Sequence, residues 1–130
     1  MSAPYILVVD DEPDFALLVQ GNLQKEGFDV DVAYNGVEGL EKIKQNPPDA
    51  IVLDVMMPDG NGLKVVSDIR QTGSKPEIVI ITAAGDPDGA ELAIRSGAWD
   101  YIEKSSSLKN MILPISRALQ FRKEKQSKNT

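Results

Sequence analysis

Apolar residues occur along this chain in two patterns that take turns. Ile6-Leu7-Val8-Val9, Ala50 to Val55 and Ile78-Val79-Ile80-Ile81 are short runs, apolar at nearly every position, as strands covered on both faces should be. Between them the apolar positions recur at helical spacing. Phe15, Leu18, Val19 and Leu23 predict an amphipathic helix that Gly27 closes. Val30 and Val32 alternate with Asp29 and Asp31, the pattern of a half-buried edge strand. Asn35-Gly36 then turns into a helix with Val37, Leu40 and Ile43 inward, stopped by Pro47-Pro48. The turn signal Pro58-Asp59-Gly60-Asn61-Gly62 precedes a third helix with Leu63, Val66 and Ile69 inward, ending near Gly73. A fourth helix follows Gly85-Asp86-Pro87-Asp88-Gly89. Its inner face is mainly Ala90, Ala93 and Ile94, so it buries little and is the helix most easily displaced. Trp99 to Ile102 forms a fifth strand. Leu108, Met111, Ile112, Ile115 and Leu119 mark the last helix, with Ser105 to Ser107 as N-cap candidates. Pro114 lacks a donor and crowds the carbonyl of Asn110, which predicts a kink or a separate first turn.

Five strands alternating with five helices give an α/β fold: a doubly wound, flavodoxin-like parallel sheet of order 2-1-3-4-5. The chain of 130 residues has the length of one domain, here residues 1–122, with 123–130 as a polar basic tail or the start of a linker. The net charge of −6 is uneven, because Arg122, Lys123, Lys125 and Lys128 cluster near the end against Glu124. The more acidic body repels nucleic acid rather than binding it, and the basic tail reads as a solvated helix end. No cysteine or histidine is present, so nucleophilic or metal chemistry must rest on carboxylates. No apolar run approaches a membrane span and no signal peptide is visible, which points to the cytoplasm.

Each apolar strand ends on a residue capable of chemistry. The first runs into Asp10-Asp11, the third into Asp54, the fourth into Thr82, and the fifth leads to Lys104. In a parallel sheet these ends meet at one edge, where open α/β sheets place their binding crevice. Taken singly, the acid pair reads as a helix N-cap, Asp54 as a turn residue, Thr82 as a satisfied strand-end hydroxyl and Lys104 as a surface lysine. Together they form an acidic site. Three carboxylates at one edge call for a hard cation, for which Mg2+ is the natural choice. A carboxylate is also a nucleophile toward phosphoryl groups, and Asp54 is the candidate, with Thr82 and Lys104 placed to stabilise the transferring group.

From about Pro4 to about Arg122 the chain resembles the receiver domain of bacterial two-component response regulators. The matching pieces are Val8-Val9-Asp10-Asp11-Glu12, Asp54-Val55-Met56-Met57-Pro58 with Gly62, Thr82-Ala83, and Gly97-Ala98 leading through Asp100-Tyr101-Ile102 to Lys104. The resemblance implies that Asp54 accepts a phosphoryl group from a sensor histidine kinase. It implies Mg2+ held by Asp11, Asp54 and the Met56 carbonyl, with Asp10 assisting. Thr82 and Tyr101 would switch together, and the fourth helix, fifth strand and start of the fifth helix would face a partner or an output domain C-terminal to this chain. It also allows a phosphorylation-dependent homodimer, and it makes the protein a self-modifying receiver rather than a turnover enzyme.

One residue departs from the family pattern: Ser105 follows Lys104 where proline in a cis bond is usual, and a non-proline cis bond costs roughly 2.5 to 4 kcal/mol. The expectation is that Lys104 is nevertheless aimed inward. Met56 and Ala84, two residues after Asp54 and Thr82, are apolar and offer nothing to orient a hydrolytic water, so slow hydrolysis of the acyl phosphate is expected. A haloacid-dehalogenase-like phosphatase would need a second Asp two places after its nucleophile, where this chain has Met56. A flavodoxin would need hydroxyls and glycines after the first strand, where Asp10-Asp11-Glu12 would repel phosphate. A receiver-like interaction module that is never phosphorylated is the remaining alternative.

Overall fold

The computed structural model describes residues 3–55, 62–82, 91, 94–104 and 108–128. Five strands, β1 (Tyr5–Val9), β2 (Asp29–Ala33), β3 (Ala50–Asp54), β4 (Glu77–Thr82) and β5 (Asp100–Glu103), form one sheet of order β2-β1-β3-β4-β5 with every neighbouring pair parallel. The helices assigned within these residues are α1 (Pro13–Lys25), α2 (Gly36–Gln45), α3 (Gly62–Arg70) and α4 (Leu108–Lys128). The expected strand order is therefore the observed one. The helix expected around Ala90 and Ala93 falls largely outside the described residues, as do Ser105 to Ser107. No helix among the described residues is long and apolar enough to cross a membrane.

Alternation along the strands divides the core into two layers. Ile6, Val8, Ala50, Val52, Val79, Ile81 and Ile102 pack with Ala16, Val19 and Leu23 of α1 and Met111, Ile115 and Ala118 of α4. Leu7, Val9, Ile51, Leu53, Ile78 and Ile80 pack on the opposite face with Ile43 of α2 and Val66 and Ile69 of α3. Because both faces are covered, the central strands carry no polar position between their first residues and their carboxyl ends.

Three inward positions differ from the helical reading. Leu18 is half exposed, and Ala16 and Val19 take the buried side of α1 instead. Val37 is exposed, while Gly36 and Gly39 are buried. The cause is close approach: a Cβ on Gly39 would lie 3.1 Å from Val9 Cγ2, so α2 packs on its glycine side and Val37 rotates to solvent. Ile94 is likewise exposed, and this end of its segment is held through the backbone, with Arg70 Nη1 donating to Ser96 O at 2.6 Å.

Helix α4 is continuous through Pro114, so the first turn is not separate. It also runs on to Lys128, and two of its basic residues reach back to the domain. Arg122 donates to the carbonyls of Lys75 (2.9 Å) and Ser74 (3.1 Å) and faces Asp49, and Lys125 pairs with Glu77 at 2.9 Å. Gly27, at φ +94, ends α1 as expected, a conformation that glycine adopts without a Cβ penalty.

Candidate functional site

Strand register brings the chemical residues together. Val9 of β1 pairs with Leu53 of β3, so Asp10 and Asp54, one residue on, leave adjacent strands at the same level. Asp54 lies level with Ile81, and Thr82 with Glu103, which puts Lys104 just beyond the end of β5. The Lys104 amide donates to Thr82 O at 2.8 Å, fixing the start of that loop against β4. Asp10, Asp54 and Thr82 are at most 3% exposed. They are the buried polar or charged residues of the described chain.

Side-chain direction separates them into two groups. Asp10 continues the alternation of Ile6 and Val8, Asp54 that of Ala50 and Val52, and Lys104 that of Ile102, all on the α1/α4 side. Thr82 continues that of Ile78 and Ile80, on the α2/α3 side. Its hydroxyl is buried and has no hydrogen-bond partner among the described residues.

The Lys104 ammonium sits among three carboxylates: 2.6 Å from Glu12 Oε1, 3.2 Å from Asp54 Oδ2 and 3.2 Å from Asp10 Oδ2. Its fourth neighbour is the Phe15 ring, 4.8 Å away to the centroid. Burial works to lower the lysine pKa, but Glu12, Asp54 and Asp10 outweigh it and hold the group firmly protonated. Burial pushes the Asp10 carboxyl up to about 6, with Asp54 adding to the rise, while the Glu12 amide and Lys104 oppose it. That amide donates to Asp10 Oδ1 at 2.9 Å.

The expected inward aim of Lys104 is the observed one; its bond to Ser105 lies outside the described residues. The site also includes a residue that the sequence reading gave no role. Oxygens of Asp10, Glu12 and Asp54 approach one another within 4.8 Å, while half-exposed Asp11 is not in that set. Glu12, immediately before Pro13, was visible as the third acid of the run, but its partner Lys104 lies 92 residues away in the sequence. Buried Asp10 and Asp54 are hard oxygen donors that suit a divalent cation, whereas Glu12 faces them from the rim. Met56, Ala83 and Ala84 lie outside the described residues. Tyr101 is 38% exposed on β5.

Known proteins resemble this chain in sequence and in fold. The family model of the response regulator receiver domain matches residues 6–116. Response regulator ArlR of Staphylococcus saprophyticus is 38% identical over 120 residues, which are 92% of this chain and 54% of that protein, so the chain spans about half the length of this relative. The receiver domain of NtrX from Brucella abortus is 35% identical with a TM-score of 0.83, over 88% of this chain and 98% of that one. The receiver domain of the Francisella response regulator 1452 is 28% identical with a TM-score of 0.82, over 90% and 97%. With buried acids and an ammonium gathered at the sheet edge that the family motifs specify, this chain belongs to the receiver domains of two-component response regulators.

Proposed function

We propose that Asp54 is the phosphoacceptor of a phosphorelay, taking its phosphoryl group from the phosphohistidine of a sensor histidine kinase. An oxygen of Asp54 forms a bond to phosphorus as the bond to the imidazole nitrogen breaks, giving an acyl phosphate. The observation that carries this reading is the buried Asp54 carboxylate at the sheet edge with the Lys104 ammonium 3.2 Å from it. Phosphoryl transfer needs positioning and charge stabilisation more than covalent help, and this pair supplies both.

Asp11, Asp54 and the Met56 carbonyl would hold Mg2+, with Asp10 assisting, and the ion would neutralise charge between the acids and the phosphoryl oxygens. Lys104 balances the acids and pairs with a phosphoryl oxygen. Thr82 supplies a hydroxyl that turns toward the modified Asp54, and Tyr101 moves inward with it. The phosphoryl group selects that arrangement by interacting better with it than with the resting one. The segment before β5, β5 itself and the start of α4 then present the switched surface to a partner or to an output domain beyond this chain, in the cytoplasm. With apolar Met56 and Ala84 two positions after Asp54 and Thr82 in the sequence, the acyl phosphate is long-lived for its family.

Incubation with acetyl phosphate, with and without Mg2+, tests the proposal by intact mass. The expected result is a Mg2+-dependent gain of one phosphoryl group mapping to Asp54 and absent in Asp54→Asn. Sustained turnover of phosphomonoesters would refute it.

A further inference from the structure

We infer that Glu12 is a positioning residue for Lys104, and that together with Phe15 it makes the start of α1 the holder that keeps the ammonium at the site. This rests on the proposed role of Asp54. The Glu12 contact is the shortest that Lys104 makes, at 2.6 Å against 3.2 Å to Asp54 and to Asp10. Phe15, three residues on, lies under the same ammonium at 4.8 Å, a distance at which a cation is attracted to a ring face.

Glu12 is free to do this. It is the N-cap residue of α1, yet its side chain makes no capping hydrogen bond. Its amide is fixed by Asp10 Oδ1, so Asp10 orients the backbone from which the Glu12 side chain reaches Lys104. The Glu12 side chain is 64% exposed, whereas those of Asp54 and Asp10 are buried at the floor of the site. Lys104 therefore spans from floor to rim. A cation or phosphoryl group arriving at Asp54 and Asp10 changes the charge at the inner end of that span, and the rim contact is the one left intact. The loop at Lys104 lacks the proline usual after this lysine, so the restraint comes from side-chain contacts to α1 instead. Glu12 holds the ammonium, Phe15 limits its sideways movement, and neither touches the reacting atoms.

Two measurements test this with the full chain. The first is labelling of Lys104 by an amine-reactive reagent in the metal-free protein, mapped by peptide mass. Glu12→Gln should raise the labelling rate roughly five- to tenfold, because a charge-assisted contact is replaced by a weaker neutral one, and Glu12→Asp should fall between. The second is a double-mutant cycle on the rate of Asp54 phosphorylation by acetyl phosphate. Glu12→Gln should slow it severalfold alone and have no effect in a Lys104→Met background, since residues acting through one another are non-additive. Unchanged labelling, or an equal loss in both backgrounds, overturns the assignment. Failure of the wild-type chain to gain a phosphoryl group would instead overturn the reading of Asp54, and the labelling experiment would still decide the role of Glu12.

Discussion

Thr82 stands one register step beyond Asp54: Asp54 pairs with Ile81, and the Thr82 side chain leaves β4 on the opposite face of the sheet. In this resting arrangement the hydroxyl is buried without a partner among the described residues, at a cost that only a rearrangement or a new acceptor removes. Thr82→Val keeps the shape and removes the unsatisfied group. The unphosphorylated protein should gain about 0.5–1.5 kcal/mol in urea denaturation. In the proposed mechanism the same variant should still be phosphorylated on Asp54, more slowly, without the accompanying change in Tyr101 NMR signals. A variant that is less stable and still switches would count against a strained, functional hydroxyl.

Stability of the metal-free protein should rise as the solution is acidified from neutrality. The folded Asp10 carboxyl titrates at about 6, above its ordinary 3.8. Between those values the folded state binds more protons than the unfolded one, so acidification favours folding. The gain is complete below about 4 and lost as pH rises through 6. Asp10 contributes about 1–2 kcal/mol over this range. Urea denaturation at pH 5 and 7 should show the difference in the wild type and little of it in Asp10→Asn, while other carboxylates set the behaviour below pH 4.

Removing Arg122 should weaken the base of the domain. Its guanidinium, 11% exposed, satisfies two carbonyls of the turn before β4 and faces Asp49, whose other oxygen accepts from the Tyr5 amide. Arg122→Ala should cost about 1–3 kcal/mol. Arg122→Lys should recover only part of it, since an ammonium cannot reproduce the fork. Chemical denaturation measures both. A loss within error of zero would mean that the end of α4 is not docked in solution.

Gly97→Ala should be destabilising for two separable reasons. Its φ of +90 disfavours a side chain, and a Cβ there would collide with Arg70 Nη1. A total cost of about 1–3 kcal/mol is expected. Arg70→Ala should relieve the collision and leave the backbone term, so the pair of substitutions should be clearly non-additive. Additive losses would show that Arg70 does not lie over Gly97.

Relatives longer than this chain make the end of α4 informative as well. The helix continues past Arg122 to Lys128, with Lys125 paired to Glu77. Composition showed only that the segment was charged. Its partners, Asp49 just before β3 and Glu77 at the start of β4, are identified only by folding.

What the sequence determined by itself is what short-range periodicity encodes. Continuous apolar runs separated by helical stripes required a doubly wound parallel sheet, and the ends of those runs put Asp10, Asp54, Thr82 and Lys104 at one edge because parallel strands share a direction. Only the tertiary structure decided which side chains meet there. Glu12 and Lys104 are 92 residues apart, and their contact depends on how far β5 and its loop extend past β1. Likewise, Val37 and Leu18 fit their helical stripes, but the close approach of Gly39 to Val9 and the burial of Ala16 set the actual faces. Periodicity specifies that a face is apolar, whereas distance, register and the space left by a missing Cβ specify which residues occupy it.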